Sequence, residues 1–126
     1  MAGSIPSILV FLHDIPNLKL GDKVRFLGCV ESYDSRSASL FLKHPTTISP
    51  VSANLIAKVN LDIVLNDIKG SAIQDGNWVN IVGYVMDCKV SKCVHVQAIM
   101  LWEAKGLNLE EYEKIVTERI SLKTTD

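Results

Sequence analysis

Two alternating apolar runs in this 126-residue chain each carry a glycine in mid-run. In residues 23–31, Val24, Phe26 and Val30 recur at even spacing, and Gly28 takes the remaining place at the same parity. In residues 78–86 the interruption is Gly83. A glycine inside a strand marks a bulge, a sharp bend or the close approach of another backbone. Small closed barrels need such bends to curl, so these two positions restrict the chain more than any other feature.

The remaining pattern agrees. Gly21-Asp22 and Asp75-Gly76-Asn77 are turn signals ahead of the two runs, and Asp34-Ser35-Arg36-Ser37 is a polar turn leading to a second strand over 38–43. Pro45 and Pro50 make 44–50 a wide loop, because neither can donate to a central ladder. A third strand is expected over 54–59. Leu61, Val64, Leu65 and Ile68 then fall at helical spacing, with Asn60 or Asp62 as cap and Gly70 as terminator. After the fourth strand, Lys89-Val90-Ser91-Lys92 turns into a fifth over 94–100, with Val94, Val96, Ala98 and Met100 on one face. The run Ser7 to His13, closed by Pro16, is ambiguous between helix and strand; its length and the proline favour a strand or extended arm.

The tail reads as a helix. Asn108 is a good N-cap, Glu111 completes a capping box, and Leu107 can staple against Tyr112. Leu109, Tyr112, Ile115, Val116 and Ile120 lie along one face. Five strands, a short helix after the third, bends in strands one and four and a final helix describe an all-β, five-stranded OB-fold barrel with a C-terminal α-helix. A single domain over 1–126 is expected, with the barrel at about 21–103 and the helix at about 108–122. Barrels of this kind bind single-stranded nucleic acid on one face, or proteins.

Composition bounds the function. Apolar residues are 48% of the chain and charged residues 21%, enough apolar material to exclude disorder for the body of the chain. No apolar run approaches the ~18–20 residues of a membrane-spanning helix, so no membrane role is expected. Formal net charge is −1. A dedicated nucleic-acid grip is usually strongly basic, so any hold on a phosphate backbone must be local, weak or shared with a partner. Three cysteines and a start without a basic signal region predict free thiols in a reducing intracellular compartment. Cys88, Cys93 and nearby His95 have the wrong spacing and too few companions for zinc. His13, His44 and His95 are scattered, with no nucleophile elbow or phosphate loop beside them. No catalytic residue, metal or cofactor is therefore assigned. Trp78 and Trp102 read as packing anchors, with Trp102 placed to help fix the tail helix.

Residues 21–28 (Gly-Asp-Lys-Val-Arg-Phe-Leu-Gly), 75–85 (Asp-Gly-Asn-Trp-Val-Asn-Ile-Val-Gly-Tyr-Val) and 103–109 (Glu-Ala-Lys-Gly-Leu-Asn-Leu) resemble the smallest subunit of the CST telomere-capping complex, the Ten subunit, and its yeast members more than its animal ones. The resemblance spans Val24 to Ile120. It implies a non-enzymatic nuclear protein of the telomeric region of chromosomes, paired with a second OB-fold protein, the Stn subunit, and assembled with a third CST subunit. Telomeric single-stranded DNA would be met weakly or indirectly. It also implies an arrangement like that of the two smaller subunits of replication protein A, in which C-terminal helices pack together. The alternative is an autonomous single-strand nucleic-acid binder of replication or repair.

The partner seam is expected on Leu109, Tyr112, Ile115, Val116, Arg119 and Ile120. Leu109 and Val116 would face the barrel, and Tyr112, Ile115 and Arg119 a partner helix, tyrosine and arginine being favoured at interfaces. The competing reading is that the whole stripe covers its own barrel. The expected nucleic-acid face comprises Tyr33, Arg36, Phe41, Lys43, Lys58, Lys89 and Lys92, a cationic groove with stacking platforms. Its supply is thin, as aromatics are 6% of the chain; the alternative places Phe41 in the core and the lysines in solvent.

Overall fold

The computed structural model describes residues 6–45, 55–87 and 94–124, except for the side chains of 121–124. A left-handed turn at Gly21 (φ 89°) leads into a twelve-residue strand, Lys23–Asp34, here β2, preceded by the two-residue β1, Ile8–Leu9. Val24, Phe26 and Val30 point into the core and are almost completely buried. The first half of β2 pairs antiparallel with β5, Trp78–Val85, from Lys23↔Tyr84 to Cys29↔Trp78. Its second half pairs with β3, Ser39–Lys43, from Cys29↔Lys43 to Asp34↔Ser39. One strand thus belongs to two walls, and Gly28 sits near the changeover. A Cβ there would stand 2.9 Å from Leu42 Cβ.

β3 continues antiparallel into β4, Ile56–Asn60; β4 pairs in parallel with β6, Val94–Glu103; and β6 returns antiparallel to β5. The β2–β5 pairing closes the five-stranded OB barrel, leaving α1, Leu109–Thr124, outside it. Gly83 faces β6 so closely that a Cβ would overlap the Gln97 carbonyl oxygen and lie 2.8 Å from Val96 Cγ1. Both mid-run glycines therefore mark close approaches of neighbouring strands.

Three local expectations are corrected. The face Val94, Val96, Ala98, Met100 holds only as far as Ala98. Register against β5 slips between Val82 and Gly83, Ile99 becomes the extra residue, and Met100 is 54% exposed while Leu101 packs on the core. A bulge reverses parity in this way. Residues 61–68 do not form one α-helix: a turn is followed by 3-10 segments at Leu65–Asp67 and Gly70–Ile73. Leu61 and Val64 are buried, but Leu65 faces solvent. Asn60 Oδ1 accepts the Asp62 N–H at 2.9 Å, a local turn that competes with helix, and the β-branched Ile63, Val64 and Ile68 pay χ1 entropy in an α-helix. Gly70 opens the second segment instead of ending the first.

The amino-terminal run, expected as strand or arm, joins the barrel. β1 pairs in parallel with β2, and the Val10 N–H donates to the Arg25 carbonyl. A 3-10 segment, Leu12–Asn17, follows, and its Leu12 and Ile15 sit in the core at 1% exposure. Asp14 fixes its start, the carboxylate accepting the Phe11 N–H at 3.3 Å. Among the described residues no helix is long and apolar enough to cross a membrane.

Candidate partner interface

The carboxyl-terminal helix begins as the sequence predicts. Gly106 takes φ 65°, and Asn108 Oδ1 accepts the Glu111 N–H at 3.1 Å, satisfying a donor that the first turn leaves free. Glu110 and Glu111 lie in that first turn, where the helix dipole favours negative charge.

The helix divides the expected seam in two. Val116 is fully buried, and Leu109, Tyr112 and Ile120 are half-buried. Ile115 is 43% exposed, and Arg119 is also exposed. Tyr112, placed by the sequence reading beside Ile115 on the outer side, instead leans on the barrel near Leu27 and Arg25. Its bulk finds cover there beside His44, at 6.5 Å between ring centres. Burial pushes its phenol up to about 12, with the Arg25 charge and the Leu27 backbone pulling the other way. Ile115 and Arg119 make the outer, exposed flank of the helix.

What seats the helix is a pair that sequence reasoning missed. His44, expected in the wide loop over 44–50, is 2% exposed at the end of β3, and Glu113 is 6% exposed on α1. His44 Nε2 lies 2.9 Å from Glu113 Oε2, and Nδ1 lies 3.3 Å from the Leu27 carbonyl. Phe11 and Trp78 meet the imidazole edge-on, with ring centres 5.7 and 5.4 Å away. The tryptophan at the helix seat is therefore Trp78. Trp102 instead carries the Arg25 guanidinium over its ring at 5.3 Å and is 36% exposed, because the β6 bulge turns it outward. No spacing rule flags His44 and Glu113, which are 69 residues apart in sequence.

The expected nucleic-acid face is only partly assembled. Phe41 and Lys58 are cross-strand partners on β3 and β4, and Lys58 is level with His95 on β6. Phe41 is half-buried and does not belong to the core cluster. Lys43 is two residues from Phe41, but its ammonium is 2.7 Å from Glu31, which raises its pKa through that hydrogen bond and charge. Tyr33 is turned against the core by a register slip between Val30 and Ser32. Arg36 is exposed at the β2–β3 turn, whose shape Asp34 fixes by accepting the Arg36 N–H at 3.0 Å. Lys89 and Lys92, like Cys88 and Cys93, lie outside the described residues. Cys29 is a buried free thiol whose pKa is raised, chiefly by burial. Among the described residues no group of three or more histidine, cysteine or acidic side chains could hold a metal.

Residues 1–117 match the family model of Ten1, described as a telomere-capping CST complex subunit. The protein ten1 of Schizosaccharomyces pombe is 31% identical over 111 residues, 88% of this chain and 91% of that protein. A chain in a crystal structure of the S. pombe Stn1–Ten1 complex superposes with a TM-score of 0.72 at 31% identity, covering 98% of both chains. A chain of replication protein A from U. maydis, solved bound to single-stranded DNA, gives 0.67 at 14% identity over 97% of this chain and 96% of that one. At that identity the likeness concerns the fold alone.

Proposed function

This chain belongs to the Ten1 family of telomere-capping CST complex subunits, and from that membership we propose that it acts without catalysis, as the small partner of a Stn-type OB-fold protein at nuclear telomeres. The outer flank of α1, Ile115 and Arg119, makes the helix–helix seam. Val116 holds that helix on the barrel, and the half-buried Leu109, Tyr112 and Ile120 both hold it there and complete the seam at its margin. A third CST subunit joins the pair, and single-stranded telomeric DNA reaches this chain weakly or through its partners. The observation that carries the reading is the division of one apolar stripe: Val116 is fully buried while Ile115, one position away, stands 43% exposed beside Arg119. Ile115 thus offers an apolar contact on the flank of α1 that its own barrel leaves uncovered. The near-full-length likeness to a chain of the S. pombe Stn1–Ten1 complex supports the same partner class.

Co-expression with a Stn-type protein tests this. The wild-type chain should co-purify with it. Ile115→Asp combined with Arg119→Glu should weaken pairing by about tenfold or more while leaving the barrel folded, since interface truncations act locally. Retained pairing in that double variant contradicts the seam.

The alternative, autonomous binding of single strands, is favoured by one observation: Phe41, Lys58 and His95 form a continuous row across β3, β4 and β6. The net charge of −1 opposes it. Titration of the isolated chain with a single-stranded oligonucleotide at two salt concentrations separates the readings, because a backbone grip loses affinity steeply as salt rises. Tight, strongly salt-dependent binding would favour the alternative.

A further inference from the structure

A helix held on a barrel by apolar contact alone rolls until its apolar stripe is best covered. Over Leu109–Ile120, where side-chain burial is described, the apolar side chains of α1 are Leu109, Tyr112, Ile115, Val116 and Ile120. At about 100° per residue, their mean direction falls between Tyr112 and Val116. The covered arc does not centre there. It reaches round to Glu113, 6% exposed, and leaves Ile115 in solvent. The helix is rolled by roughly 30° away from the position these five residues would choose.

The roll is matched by the groups on the barrel side. His44 Nδ1 faces the Leu27 carbonyl, which can only accept, so Nδ1 carries a hydrogen. The 2.9 Å contact between Nε2 and Glu113 Oε2 then holds a second hydrogen, donated by an imidazolium or by a carboxyl. Phe11 and Trp78 pack edge-on against the ring, so the imidazole has little room to follow a rotating helix. Apolar contact is non-directional and tolerates several rolls, whereas this bond has one direction. A buried polar pair that fixes register is the best-attested use of such pairs.

We propose that His44–Glu113 is a register lock: His44 is a positioning residue that sets the roll of α1 and so keeps Ile115 and Arg119 facing outward for a partner. The proposal rests on the partner reading of α1, but the roll can be read without a partner. The full chain is compared as wild type, Glu113→Gln, Glu113→Ala and His44→Phe/Glu113→Leu. Methyl NOEs report whether Ile115 touches the barrel, the melting midpoint reports stability, and titration with a Stn-type OB protein reports affinity. A carboxamide can donate to Nε2, so Glu113→Gln should keep Ile115 off the barrel and bind within about threefold of wild type. The apolar pair should melt no lower than wild type. It should also show Ile115 NOEs to the barrel and bind at least about tenfold more weakly, the loss expected when an anchor side chain is withdrawn.

If the apolar pair keeps Ile115 outward and binds like wild type, His44 and Glu113 merely anchor the helix and the proposal is overturned. If the apolar pair does not fold, Glu113→Ala decides by the same NOEs and affinity: wild-type values for both overturn the lock. If wild type does not bind the partner, the partner reading fails, and the Ile115 NOEs alone decide the lock, their absence in the apolar pair overturning it.

Discussion

Tyr112 and Gly83 show how much one position can set. The Tyr112 phenol is pushed up to about 12 by burial, against about 10 for an exposed tyrosine. Because the folded state holds this proton more tightly, the stability it contributes is complete below about pH 10 and falls as pH rises to about 12. A denaturation series from pH 9 to 12 should show a loss of about 2–3 kcal/mol. Absorbance titration should show the Tyr112 phenol ionising late. At Gly83 an added Cβ meets the β6 backbone, and at Gly28 it meets the Leu42 side chain. Side chains yield more readily than backbone, so Gly83→Ala should destabilise by more than Gly28→Ala, which should cost about 1–3 kcal/mol; paired urea melts check the order. Both glycines were legible in the sequence because a gap in an alternating run is a local signal. His44 and Glu113 were not, because their meaning depends on a contact 69 residues apart.

At the scale of elements, strands and the tail helix could be read because each carries its own period and its own cap. Asn108 caps α1 as its residue type predicts. Errors arose where tertiary structure changed parity or helix type. The slips at Val30/Ser32 and Val82/Gly83 turn Tyr33 inward and Met100 outward, and nothing in the local pattern marks the extra residue. Residues 61–68 have helical spacing, but Asn60 closes on the Asp62 N–H as a local turn and the chain continues as two 3-10 segments. For α1 the two faces predict different mutational behaviour. Val116→Ala should cost about 1–3 kcal/mol as a buried truncation. Ile115→Ala should stay within about 0.5 kcal/mol, as an exposed one does. Thermal melts of the isolated chain check both, and equal losses would mean that the outer flank is not free.

The whole molecule joins a closed barrel, which leaves little edge for other strands to pair with, to an external helix whose stripe is only partly covered. With a net charge of −1 the chain has no strong field with which to gather nucleic acid. Its membership of the Ten1 family and the exposed Ile115–Arg119 flank both direct attention to protein–protein contact. Association should therefore depend on that flank far more than on the Phe41–Lys58 row. Calorimetric titration of the intact chain into a Stn-type OB protein, with wild type, Ile115→Asp/Arg119→Glu and Lys43→Ala/Lys58→Ala run side by side, separates the two surfaces. Binding that survives the lysine changes and falls about tenfold or more with the helix changes is the expected result; equal binding by all three chains would contradict a partner seam on α1.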